Sequence, residues 1–151
     1  MALFLSTFIN KVDSKGRVYV PSQFRASLVN GNNSAMVVYE SFINQSIEGC
    51  DLERIKKLSE SIDNLEPFSE ERDAFATAVL GGSVQLSIDG DGRIILPENL
   101  LKTAKIKDSA VFIGKGATFE IWEPISFEKY MQKAKEEAKL KRNLLRLKND
   151  K

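Results

Sequence analysis

A chain of 151 residues with 42% apolar side chains has enough hydrophobic material for one domain, or for two small intertwined halves sharing a core. It contains no histidine and a single cysteine, which removes the commonest general base, the usual nucleophilic triads, an internal disulfide and any zinc site; no enzyme, metal or cofactor is expected. The net charge of +1 hides segregation, because residues 1–30 carry +3, residues 31–128 carry −8 and residues 129–151 carry +6, so the basic ends can meet a polyanion.

The apolar start MALFLSTFIN has neither a basic region nor a small-residue cleavage site, and reads as a first strand rather than a signal peptide. No apolar run approaches the ~20 residues that span a bilayer. Together with the lone Cys50 this points to the cytoplasm, with no membrane partner. Phe8, Asn10 and Val12 then alternate with Ile9 and Lys11, and the stretch VDSKGRVYVP follows. Asp13 at the turn entry can accept hydrogen bonds from backbone N–H groups just ahead. Gly16 supplies the positive φ of a tight hairpin, Val18–Val20 form the return strand, and Pro21 opens a short helix. That helix is expected over SQFRASLVN, burying Phe24 and Leu28 and stopping at Gly31.

Two strands, around MVVY at 36–39 and SIEGC at 46–50, precede an amphipathic helix on which Leu52, Ile55, Leu58, Ile62 and Leu65 recur every three or four residues. A second helix is expected with Ser69 as N-cap, Glu70 and Glu71 in its first turn and Gly81-Gly82 as its stop. VQLSI alternates as a half-buried strand, and IDGDGRIILPENLLKTA then repeats the first hairpin and helix at an offset of 76 residues. Asp89, Gly92, Arg93 and Pro97 stand where Asp13, Gly16, Arg17 and Pro21 stand, and Leu100, Leu101 and Ala104 line the second helix. AVFI (110–113) and TFEIW (118–122) parallel the two strands of the first copy. After Pro124 a longer helix carries Phe127, Tyr130, Met131 and Ala134 into a basic tail. Leu140, Leu144, Leu145 and Leu147 either extend an apolar stripe toward a neighbour or belong to fraying turns. Each copy is about 45 residues, near the lower limit of independent stability, so the two are expected to pair and hide each other's sheet edges.

The paired DSKGR and DGDGR motifs, the prolines Pro21 and Pro97, the stretch SEERDAFATAVLGG and the closing FEIWEP together resemble the MraZ family, over nearly the whole chain. The resemblance implies an α+β fold of two AbrB-like swapped-hairpin repeats forming a pseudo-twofold β-barrel. Repeat 1 would span 7–54, a helical linker pair 55–82, repeat 2 83–126, and a C-terminal basic helix 127–151. It further implies a ring-shaped homo-oligomer that acts as a bacterial transcription regulator. The target would be double-stranded promoter DNA, at short G-rich direct repeats upstream of the regulator's own gene in the division and cell-wall cluster. The chain would then be cytoplasmic and nucleoid-associated.

For contact with DNA, Lys15 near the first tip and Arg17 at its shoulder are the leading candidates, with Lys11 before the turn and Arg25 on the following helix extending the patch. Lysine and arginine meet phosphates, and arginine can also grip guanine O6 and N7. The second tip replaces Lys15 with Asp91 and Lys11 with Ser87, leaving Arg93 between Asp89 and Asp91. The first hairpin is therefore expected to be the main contact, and the second structural or assisting through Arg93. The competing reading is that Arg17 and Arg93 only bridge to Asp13 and Asp89 inside their own turns. Asp13, Gly16, Pro21, Asp89, Gly92 and Pro97 are assigned to building the turns. DGDGR departs from a calcium loop at its fifth position, where Arg93 stands, and GKG at 114–116 lacks phosphate-loop spacing. Cys50 is read as packing. Two other classes stand beside the regulator: a non-catalytic structural ring or interaction scaffold, and a small carboxylate-dependent enzyme, for which no residue pattern speaks.

Overall fold

The computed structural model describes residues 2–30 and 33–147. Among the described residues, nine strands and five α-helices follow the duplicated pattern. The first half contains β1 (Thr7–Lys11), β2 (Arg17–Tyr19), α1 (Ser22–Ser27), β3 (Val29–Asn30), β4 (Asn33–Glu40), β5 (Ile47–Cys50) and α2 (Leu52–Asp63). α3 (Glu70–Phe75) continues into a wider π-type turn, Ala76–Leu80, that ends at Gly81. The second half contains β6 (Val84–Ser87), β7 (Arg93–Ile95), α4 (Glu98–Thr103), β8 (Ser109–Gly114), β9 (Phe119–Trp122) and α5 (Pro124–Leu140).

The halves exchange strands. β1 pairs with β8 of the other half, with Lys11 opposite Ser109 and Asn10 opposite Ala110. β6 pairs with β4 in the corresponding register, with Ser87 opposite Ala35 and Leu86 opposite Met36. The two remaining cross-half pairs lie on the pseudo-twofold itself: Val18 faces Ile94 between β2 and β7, and Glu48 faces Glu120 between β5 and β9. The equivalence continues into α2 and α5, where Asp51 and Glu123 each cap the helix with a carboxylate.

The antiparallel ladder runs β1-β8-β9-β5-β4, with both β6 and the short arm β3 on β4, while β2 and β7 form a separate two-stranded ribbon. Among the described residues the expected barrel does not close. The ribbon strands are three residues long, each is followed two residues on by a proline that lacks an N–H, and an isolated bridge from Val12 to Val18 joins ribbon to sheet. The first-repeat helix is also shorter than its sequence suggests. Leu28 N–H turns back to Arg25 O at 3.0 Å, and Val29–Asn30 leave the helix to pair with Asn33–Ser34. The expected stop at Gly31 lies outside the described residues.

Strand alternation puts two apolar faces on the sheet. One face, with Met36, Val38, Phe112 and Ile121, packs against Val18 and Ile94 of the ribbon and Phe24 and Leu100 of the short helices. Phe24 sits at the centre, with Phe4, Phe8, Phe112 and Phe119 around it at ring-centroid distances of 5.3–6.3 Å. Burying each such side chain contributes roughly 1.5–3 kcal/mol. The other face carries Val37, Tyr39 and Cys50 under α2 and the π-type turn, and Val111 and Trp122 under α5. Leu140, Leu144, Leu145 and Leu147 are all exposed. No helix of the described residues is long and apolar enough to cross a membrane.

Candidate nucleic-acid interface

Both hairpins close by the same local chemistry. Asp13 Oδ1 accepts from the N–H of Lys15 and of Arg17, each at 2.9 Å, and Gly16 takes φ +82° so that its N–H reaches Asp13 O at 3.0 Å. Asp89 accepts from Asp91 and Arg93 N–H at the same distances, with Gly92 at φ +87°. These backbone N–H donors, Arg17's and Arg93's foremost, hold both carboxyls below the usual carboxylate range.

The exchange of strands then brings the two arginines onto one surface. With Val18 and Ile94 turned into the core, alternation turns Arg17, Tyr19, Arg93 and Ile95 outward on the same face of the ribbon. Arg93 lies over the Tyr19 ring, 5.8 Å from its centroid. Lys11, Arg17, Tyr19 and Arg93 line an open cleft of about 510 Å³ together with Asp13 and Asp108. Asn10 fixes the rim by donating from Nδ2 to Tyr19 O at 2.8 Å.

The bridges inside the turns are present too. Arg17 Nε donates to Asp13 Oδ2 at 2.6 Å, and Arg93 Nε to Asp89 Oδ2 at 3.3 Å. They do not use the two arginines equally. Arg93 also commits Nη2 to Asp91 at 3.2 Å, whereas among the described residues the Nη groups of Arg17 donate to no protein acceptor. Asp13 therefore acts as a buttress that aims Arg17 and leaves its terminal fork open. Lys15 is exposed at the tip and Lys11 at the end of β1.

Arg25 is elsewhere. It packs against Gly92, on the opposite hairpin, and so brings positive charge to the acidic tip rather than to the first hairpin. Its pseudo-equivalent Leu101 packs against Gly16. Pro21 and Pro97 each stand at the N-cap position of the helix behind its hairpin. Tyr19 and Asn10 join the site without having stood out in the sequence, since their roles depend on which strand lies opposite. Cys50 is fully buried, and burial followed by the Asp51 charge pushes its thiol up to about 12, as suits a packing residue.

Comparison with known proteins bears on this arrangement. The transcriptional regulator MraZ of Pelagibacter ubique (strain HTCC1062) is 53% identical over 144 residues, covering 95% of this chain and 93% of that protein. Those of Rickettsia akari (strain Hartford) and Rickettsia rickettsii (strain Sheila Smith) are 48% and 49% identical over 146 residues, each covering 97% of this chain and 98% of the relative. The chain belongs to the MraZ family. The family model, described as "MraZ protein, putative antitoxin-like", matches residues 79–147, from the π-type turn through α5. The relatives are named as transcriptional regulators, not as enzymes.

Proposed function

We propose that the chain is a sequence-specific DNA-binding transcription regulator that reads duplex DNA with the β2–β7 ribbon. The observation that carries this is the shared outward face of Arg17, Tyr19 and Arg93, flanked by Lys11 and Lys15. A two-stranded ribbon fits the major groove of B-DNA, and the open Arg17 fork suits guanine O6 and N7. Lys11 and Lys15 supply phosphate contacts, while Arg93, held by two aspartates, assists. The names of the relatives support regulation of transcription. The family resemblance supplies the finer reading. It has the chain as a cytoplasmic, nucleoid-associated regulator of the division and cell-wall cluster, including its own promoter, and as a ring-shaped homo-oligomer on short G-rich direct repeats. A chain of net charge +1 gains from such assembly, since several weak contacts multiply through effective concentration. The units of organisation remain repeat 1 (7–54), the helical linker (55–82), repeat 2 (83–126) and the basic helix (127–151).

The test is binding to promoter DNA at several salt concentrations. Arg17→Ala weakens binding more than Arg93→Ala, and Lys15→Ala lowers the salt slope by about one. An Arg17→Ala protein that is folded, assembled and binds as tightly as wild type overturns the assignment. Assembly without any promoter preference would favour the scaffold.

A further inference from the structure

The loop between α2 and α3 presents Phe68 fully exposed to solvent, at φ +68°, a region that bulky side chains rarely occupy. The loop around it is fixed: Ser69 N–H donates to Glu66 O at 3.1 Å, Ser69 Oγ accepts from Arg72 N–H, and Arg72 Nη2 donates to Asp63 at 3.0 Å. Glu66, Glu70, Glu71 and Asp73 are exposed beside it. Phe68 is thus a preorganised apolar knob in an acidic setting.

On the second half, an open groove of about 880 Å³ runs between the end of α4 and the start of α5. Leu101, Ile106 and Ile125 give it an apolar floor and wall, and among its charged lining Lys102, Lys105 and Lys107 outweigh Asp108 and Glu123. The pseudo-equivalent hollow of the first half is smaller, about 320 Å³, lacks that lysine set and carries Asp51, Glu53 and Lys56 as its charged lining. The described residues therefore include an acidic knob and a groove of net positive lining that matches it.

We infer that Phe68 of one copy of this chain inserts into the Leu101–Ile125 groove of a second copy, in a head-to-tail contact held by the flanking acidic and basic residues. The inference rests on the assembly proposed above and says which surfaces make it. A contact between two different patches is heterologous, so it propagates from copy to copy and forms a ring where the rotation between copies closes. An aromatic anchor in an apolar pocket with a charged rim is the composition of an interface hot spot. The groove shares Asp108 and Ser109 with the ribbon cleft, so the docked copy sits beside the proposed DNA surface.

Sedimentation of full-length chains tests this with Phe68→Asp as the knob variant and Ile125→Asp/Lys105→Glu as the groove variant, all at exposed positions, with circular dichroism confirming the fold and Phe68→Ala as a milder substitute. Wild type assembles, each variant alone is monomeric with association weakened about thirtyfold or more, and an equimolar mixture gives one-to-one dimers through the single intact contact. A folded variant that assembles like wild type overturns the inference, as does a mixture that stays monomeric. A groove variant that keeps assembly but loses DNA overturns it in favour of a nucleic-acid track. Wild type that is monomeric at tens of micromolar removes the proposed assembly itself.

Discussion

The guanidinium of Arg25 lies over Gly92, on the hairpin contributed by the other half of the chain. Its Nε is buried and has no hydrogen-bond partner among the described residues, a cost of about 1–3 kcal/mol for a polar group removed from water. The second copy solves the same packing problem with Leu101. Arg25→Leu is therefore expected to fold and to gain about 1 kcal/mol by denaturant titration. A large loss of stability would show that the guanidinium supports the fold in some other way.

The two turn glycines respond unequally to a methyl group. Both sit at positive φ, so Gly16→Ala and Gly92→Ala each incur backbone strain of about 1–3 kcal/mol. At Gly16 the new carbon meets the Leu96 carbonyl at 3.0 Å, backbone that cannot step aside. At Gly92 it meets the far end of Arg25, which can swing away. Gly16→Ala is expected to lower the thermal midpoint further than Gly92→Ala; the reverse order would contradict the packing.

Acid should loosen the hairpins late. The depressed carboxyls of Asp13 and Asp89 favour the folded turns at pH values above the unfolded carboxylate pKa of about 3.9, and that contribution disappears as pH falls through the lower folded values. Carboxyl ¹³C shifts followed by NMR should titrate below 3.9 at both sites, with the Arg17 and Arg93 amides losing protection in the same window. Titration at or above the ordinary value would mean the turns do not form in solution.

Glu120 is buried and gathers Trp122 Nε1 at 2.8 Å, Lys115 Nζ at 3.1 Å and Ser46 Oγ at 3.3 Å. Lys115 also donates to Tyr130 on α5, and Tyr130 stacks on Trp122. The carboxylate thus ties the β4–β5 turn to the last helix. Glu120→Ala, which strands these donors, is expected to cost about 3 kcal/mol, and Glu120→Gln, which retains acceptors, about 1–2 kcal/mol. Equal losses in chemical denaturation would place the effect in packing rather than in the bonds.

The hairpins were legible because their chemistry is local: Asp13, Gly16 and Pro21 set the turn within nine residues, and the second copy restates it. The caps at Ser69 and the buried faces of Phe24 and Leu100 follow equally from short-range pattern. Arg25 was not legible, since the hairpin it meets is decided by strand exchange across 67 positions of sequence, from 25 to 92. The open ladder was hidden for a related reason. Alternation marks β2 and β7 as strands but does not say that they bond to each other and barely to the sheet. Glu120 sits in TFEIW as an ordinary polar position, and only the register opposite β5 puts it under Asn44 and Ser46.

The near-symmetry of the ribbon has a consequence for direction. Two identical chains around a dyad present the same face whichever way they are turned, and suit a palindrome. Here both halves belong to one polypeptide, so Lys15 could become Asp91, and Arg25 could become Leu101, without the partner position following. The ribbon kept its axis through Val18 and Ile94 and lost its equivalence. A duplex bound there as proposed would meet a front end and a back end, and 5′ to 3′ would differ from 3′ to 5′.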